Sequence, residues 1–412
     1  MRAFQTKQLS EAITLALSQV KPITETEGIS LTDAYGRILA QEVVCPEDVP
    51  GFARSVMDGY AVRASDISPA SRDRPVTLRV IGSIAIGQDL QELPHLAPGE
   101  ALEIATGSPI PPGADAVVML EETERPNSES VRVFSAVTPG SHVLMADSDF
   151  KRGERVFRAG HRLRSVDVGA LLAMGVLSVA VYRRVRVGIL STGDELVEAD
   201  IETQPGQVRQ INSHILRGLI ESQGAQGIAY GIVPDDRQTL RAAVQRAVRD
   251  SDMVLLSGGS SVGARDWTLE TVQELGEVFV HGLQIKPGKP TIFSVIETKP
   301  VVGLPGNPVS CVIVFEKFVR PVLARRSGLT VLLPSHRLVS ARLTQTVRSV
   351  VGREDFVAVR LRLDEEHGAL YAEPVPGHSN NISTLARADG IFCVPADLEE
   401  IPTGAQVWVE FL

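Results

Sequence analysis

The sequence predicts a multi-domain chain with a central doubly wound α/β domain, a small β-rich domain and a C-terminal β-barrel-like domain. Three observations predict this. At 412 residues the chain exceeds what one hydrophobic core organises. From Arg183 to Arg325, apolar strand-like runs alternate with helical periodicity. On either side, short β-type runs are broken by Pro and Gly.

Residues 1–25 read as an amphipathic helix, with Ser10 as N-cap and Ile13, Leu15 and Leu17 on its buried side. A second helix is expected over 31–39. The runs 76–81, 116–120 and 131–137 are short strands between turns, and Pro139-Gly140 marks their exit. Residues 153–182 read as strand, helix, strand rejoining the N-terminal helices. Next come strands at 185–190, 228–233, 253–256 and 301–304, with helices at 213–223, 237–249, 266–275 and 309–325. Such alternation implies a parallel sheet covered on both faces, with its ligand site at the carboxyl ends of the strands. Alternating segments such as 356–363 and 407–411 form the last domain. The divisions expected are 1–45 with 145–183, then 46–144, 184–328 and 329–412.

A net charge of −9 excludes a broad basic surface for nucleic acid. Three dispersed cysteines, Cys45, Cys311 and Cys393, fit a reducing cytoplasm, and no Cys-x-x-Cys or paired-His spacing suggests zinc. No apolar signal segment follows Arg2, and the apolar stretch 168–181 is too short to span a bilayer.

Two loops carry the chemistry. Ser257-Gly258-Gly259 opens one that runs to Asp266. Lys286-Pro287-Gly288-Lys289-Pro290 is the other, followed closely by Leu304-Pro305-Gly306-Asn307-Pro308-Val309-Ser310. Glycine after a strand lets backbone N–H groups approach an anion, and lysines in a proline-stiffened loop add positioned positive charge. The implied ligand is a phosphate or another tetrahedral oxyanion. Asp194, Glu195, Asp235, Asp236 and Asp266 fall in neighbouring loops at the same sheet edge. They suit either a magnesium ion shared with phosphate or helix N-capping. Arg353 is as well placed to pair with its acidic neighbours as to bind a ligand, and Ser379 reads as a turn residue.

Met57-Asp58-Gly59-Tyr60-Ala61, Thr106-Gly107, Ser191-Thr192-Gly193-Asp194-Glu195-Leu196, Ser257-Gly258-Gly259 with Asp266, the Lys-Pro-Gly-Lys-Pro loop and the Leu-Pro-Gly-Asn-Pro-Val-Ser segment occur in this order. Together they closely resemble the bacterial MoeA family of molybdopterin molybdenumtransferases, related to the E domain of gephyrin. The resemblance implies a cytoplasmic homodimer of four-domain subunits with its cleft between subunits. It also implies insertion of molybdate into adenylylated molybdopterin, with release of AMP and a requirement for Mg2+. By the same resemblance, Lys286, Lys289, Pro290, Ser310, Arg353 and Ser379 bind molybdate. Asp58, Thr106, Glu195, Asp235 and Asp266 are the catalytic candidates, and Asp149, Glu195 and Asp235 the metal candidates. Asp194, Asn212, Ser257, Gly258, Gly259, Pro305, Gly306 and Asn307 hold pterin or nucleotide. A molybdopterin adenylyltransferase is an expected partner. The alternatives are that adenylyltransferase activity itself, which occurs on the same α/β domain without flanking β domains, and a non-catalytic pterin-binding paralogue. Three departures from the family pattern stand out: residues 144–149 lack its arginines and its Gly-Glu, Gln210 replaces an aspartate, and Asn380 a glycine.

Overall fold

The computed structural model describes residues 5–258, 267–330 and 338–412. Its central sheet has six strands in the order Gln226–Val233, Arg186–Thr192, Met253–Ser257, Lys299–Leu304, Ile292–Ile296, Glu277–His281. The first four are parallel, and the last two join antiparallel. The parallel expectation therefore holds for all four strands that the sequence suggested, and two further strands that it did not suggest join antiparallel. The missed hairpin turns between Ile296 and Lys299 through Glu297, which takes a left-handed φ of 58° without the glycine that usually marks such a turn.

Strand alternation builds two cores. Met253 and Leu255 point to one face, where they meet Leu216 and Ile220 of the helix Asn212–Ser222 and the helical segment from Pro308. Val254 and Leu256 point to the other, against Leu240 and Val244 of Arg237–Asp250 and Leu269 and Val272 of Trp267–Leu275. The long final helix is Pro308–Val314, a π turn over Phe315–Val319, then Arg320–Arg326. Pro321 has no N–H to donate to the preceding turn, and the helix widens just before it.

The N-terminal helix spans Leu9–Gln19 and buries Ala12 and Ala16, with Ile13, Leu15 and Leu17 partly covered. Its N-cap is Gln8, so Ser10 lies inside the first turn, contrary to expectation. The helix expected over 31–39 is absent. Residues Thr26–Ser30 form a strand, and only a 3-10 turn follows at Leu31–Asp33 before Gly36, at φ 71°, redirects the chain. The apolar positions there are buried as a coil against the helix Ser165–Ala173. Ser178–Tyr182 pairs with Thr26–Ser30, so the returning segment rejoins a strand. No helix among the described residues is long and apolar enough to cross a membrane.

The small β-rich part is a six-stranded sheet ordered Ala116–Met119, Gly59–Val62, Glu100–Ile104, Val76–Ile84, Ser130–Val133, Thr123–Asn127. In the C-terminal part, Glu354–Asp364, Ala369–Pro374, Leu338–Leu343, Gln406–Phe411 and Gly390–Val394 close into a five-stranded barrel, because the last strand pairs back onto the first. Closure removes free edges. A two-residue strand from the central part, Ile285–Lys286, pairs in parallel with Glu354 and Asp355. This pairing brings the lysine loop against the barrel.

One ion cluster predicts a pH response. Burial alone would raise the pKa of Asp167, but Arg164, through side chain and backbone N–H, and His161 together lower it from 3.8 to about 2. A depressed carboxyl pKa stabilises the fold above pH 3.8, and the gain is lost as pH falls towards 2. It amounts to about 2 kcal/mol. Acid unfolding of Asp167→Asn should show a shallower loss of stability between pH 4 and 2 than the wild type; an identical profile would remove this role.

Candidate functional site: two cavities sharing one rim

The strand-end loops converge as the topology requires. Thr192 donates its hydroxyl to Asp235, and the Asp235 N–H donates to Asp194 Oδ1 at 3.0 Å. Asn212 Nδ2 donates to Ser257 Oγ and to the Gly306 carbonyl, both at 2.8 Å. Gly258 sits where a side chain has no room: its φ is +105°, and a Cβ there would stand 2.1 Å from the Thr192 carbonyl oxygen.

Two cavities open at this edge. The first, of about 850 Å³, is lined by Lys286, Lys289, Pro290, Ser310, Arg353, Asp355 and Ser379, among others. Its cations come from the lysine loop and from Arg348 and Arg353, which precede the strand beginning at Glu354. Arg353 Nε donates to Asp355 Oδ1 at 2.9 Å, and Lys286 Nζ lies 3.5 Å from Asp355 Oδ2. Asn307 Nδ2 donates to Ser379 Oγ at 2.9 Å, and Val309 N–H donates to the Ser379 carbonyl, tying the barrel loop to the Pro-Gly-Asn-Pro turn. The second cavity, of about 700 Å³, is lined by Glu195, Arg209, Gln210, Asn212, Asp235, Ser257, Gly258, Gly306 and Asn380, among others. Pro290, Pro305 and Asn307 line both cavities, so they form a common rim.

The two neighbouring aspartates take separate roles. Asp236 caps the helix Arg237–Asp250 by accepting from Thr239 N–H at 2.8 Å, and the Thr239 hydroxyl and N–H hold its carboxyl below the ordinary range. Asp235 faces the second cavity instead. The Asn212 amide donates twice, and its buried Oδ1 has no partner among the described residues. Cys311, beside Ser310, is wholly buried, and burial pushes its thiol up to about 12, so it supplies no nucleophile.

The structure brings Lys286, Lys289, Pro290, Ser310, Arg353 and Ser379 into one cavity, and Glu195, Asp235, Asn212, Ser257, Gly258 and Gly306 into the other, with Pro305 and Asn307 between them. Asp194 supports the second through its bond to Asp235. Asp58, Thr106 and Asp149 line neither; all three are exposed on the β-rich part or its exit. There Thr106 N–H donates to Asp58 at 2.7 Å and the Thr106 hydroxyl at 3.0 Å, and these bonds lower the Asp58 pKa. Gly259 and Asp266 lie outside the described residues. Sequence reasoning missed Asp355 and Arg209. For Asp355 the signal was present in Gly352-Arg353-Glu354-Asp355, but only the strand pairing shows that it meets Lys286. Gln210 is buried and fully engaged, donating to Ser191 Oγ and accepting from Ser213 Oγ, both at 2.9 Å.

An α/β sheet with a cation-lined cavity beside a carboxylate-lined one, both at the strand ends, is the class of site that suits phosphate-like ligands. Three family models match the chain: the MoeA N-terminal region (domain I and II) over residues 7–175, a probable molybdopterin binding domain over 188–325, and the MoeA C-terminal region (domain IV) over 340–412. The chain is 36% identical to the molybdopterin molybdenumtransferase of Haemophilus influenzae, with 98% of each chain covered. It is 34% identical to molybdopterin molybdenumtransferase 2 of Mycobacterium tuberculosis, covering 99% of each. A crystal structure of a molybdopterin biosynthesis MoeA protein from Pyrococcus horikoshii superimposes with a TM-score of 0.85 at 32% identity, covering 99% of this chain and 100% of that one. The chain belongs to the MoeA family.

Proposed function

We propose that this protein inserts molybdate into adenylylated molybdopterin and releases AMP and the finished molybdenum cofactor. The observation that carries the reading is the shared rim. A pocket with Lys286, Lys289 and Arg353 for an oxyanion adjoins, through Pro290, Pro305 and Asn307, a cavity suited to a phosphorylated heterocycle. Molybdate and the pterin are substrates, and the protein contributes positioning and charge neutralisation. No buried nucleophile is required, in keeping with the inert Cys311 thiol. Cofactor formation by the purified protein from adenylylated molybdopterin, molybdate and magnesium, read by activation of a cofactor-free molybdoenzyme, tests this. No activation would refute it.

Magnesium fits the second cavity in a shared mode. Glu195 and Asp235 line it, yet no three His, Cys, Asp or Glu side chains among the described residues form a metal-holding group by themselves. A hard cation that keeps its waters would therefore rely on ligand phosphates, whose charge it neutralises when bound. Titration calorimetry should show weak Mg2+ binding to the protein alone and tighter binding in the presence of AMP. Equal binding in both conditions would count against a shared site.

Asp58, Thr106 and Asp149 enter the reaction in this reading from a second copy of the chain, which explains their exposure away from both cavities. Sedimentation should give a dimer at micromolar concentration, and a monomer there would oppose it. The enzyme class that supplies the substrate is a molybdopterin adenylyltransferase, a candidate partner. A reducing cytoplasm is the compartment in this reading, in keeping with three cysteines, Cys45, Cys311 and Cys393, far apart in the sequence and odd in number.

A further inference from the structure

We propose that Asp355 is the positioning residue of the oxyanion pocket: it sets the spacing of Lys286 and Arg353 and so makes the pocket selective among tetrahedral oxyanions. The inference rests on the molybdate reading above.

The Asp355 side chain is only 6% exposed, and one of its oxygens serves each cation. Oδ1 accepts from Arg353 Nε at 2.9 Å, and Oδ2 lies 3.5 Å from Lys286 Nζ. A carboxylate this buried is stable only with such partners. The cations keep their freedom to meet a ligand. Arg353 is 35% exposed and spends Nε on Asp355, while its Nη groups have no partner among the described residues. The Lys286 side chain is 58% exposed and has further ammonium protons to give.

Backbone geometry fixes the arrangement. Lys286 pairs in register with Asp355 across the parallel contact between the lysine loop and the barrel. The ammonium of a long, mobile side chain is thereby held beside a planar guanidinium. An anion bound there meets donors at a preset separation. Without Asp355, both side chains could swing to suit any anion, or turn to water. The expected signature is lost discrimination, not merely lost charge. Asp355 does not touch the ligand in this arrangement and acts through the two cations.

The test is equilibrium dialysis of the intact protein against molybdate and, separately, sulfate, for wild type, Asp355→Ala and Asp355→Asn, with melting curves for each. The wild type should prefer molybdate. Asp355→Ala should lose about tenfold in molybdate affinity, the scale of one charge-assisted contact, while sulfate binding holds or tightens. Asp355→Asn keeps an acceptor for Arg353 Nε and should fall between the two. If Asp355→Ala is unfolded, the Asn variant, compared at matched folded fraction, decides. An unchanged molybdate-to-sulfate ratio in folded variants, or equal weakening of both anions, would overturn the positioning role and leave the molybdate reading intact. Absence of molybdate binding to the wild type would overturn both.

Discussion

Replacing Lys286 and Lys289 together by alanine should abolish molybdate-dependent cofactor formation and lower the unfolding transition only slightly. Both lysines are exposed, and both line the first cavity from a loop stiffened by Pro287 and Pro290. A charge-assisted contact contributes roughly 1.5–3 kcal/mol to ligand binding, so the pair amounts to roughly 3–6 kcal/mol, on the order of a hundred- to ten-thousandfold in affinity. Neither residue packs a core, and Lys286 is the more distant of the two cation partners of buried Asp355, at 3.5 Å against 2.9 Å for Arg353, so only a small loss of stability is expected. Arg353 behaves differently. Its removal leaves buried Asp355 without its closest partner, and Arg353→Ala should lower stability by about 1–3 kcal/mol as well as activity. Full activity in a folded double-lysine variant would remove these residues from the site.

Gly258→Ala should destabilise the protein by about 3 kcal/mol and disable the second cavity. The substitution adds the cost of a left-handed backbone, of order 1–2 kcal/mol, to a collision with a backbone oxygen that cannot rotate away. That oxygen belongs to Thr192, whose hydroxyl holds Asp235. Relief of the clash therefore displaces two strand ends and the carboxylate with them. Urea unfolding of Gly258→Ala alongside wild type measures the effect, and an unchanged midpoint would contradict the close approach. By contrast, a side chain at the open Gly206, as in Gly206→Ser, has no atom within 4 Å to meet, although the φ of +92° carries its own conformational cost.

The α/β core was legible because its strands are buried on both faces and its helices are amphipathic, so period and punctuation agree. The 31–39 segment misled because its apolar residues, Leu31, Ala34, Ile38 and Leu39, mimic a helical stripe while being buried as coil. The antiparallel hairpin was hidden by Glu297, a residue that carries no turn signal. At the site, Lys286 and Lys289 announced themselves through proline and glycine in one loop. Arg353 and Ser379 did not, since their importance depends on where the barrel docks, which only the pairing of Ile285–Lys286 with Glu354 and Asp355 reveals. Asp58, Thr106 and Asp149 remain the converse case: Asp58 and Thr106 sit in clear motifs and Asp149 is kept in an altered one, yet none of the three lines either cavity among the described residues.

Molybdate insertion coupled to AMP release is tested most directly by the dependence of that release on molybdate. Purified protein is mixed with adenylylated molybdopterin and magnesium, with and without molybdate, and AMP and molybdenum-loaded pterin are quantified together. AMP should be released in step with molybdenum incorporation, only when molybdate is present, and this release should be lost in the Lys286→Ala, Lys289→Ala double variant. AMP release at the same rate without molybdate, or molybdenum incorporation undiminished in that variant, would contradict this reading.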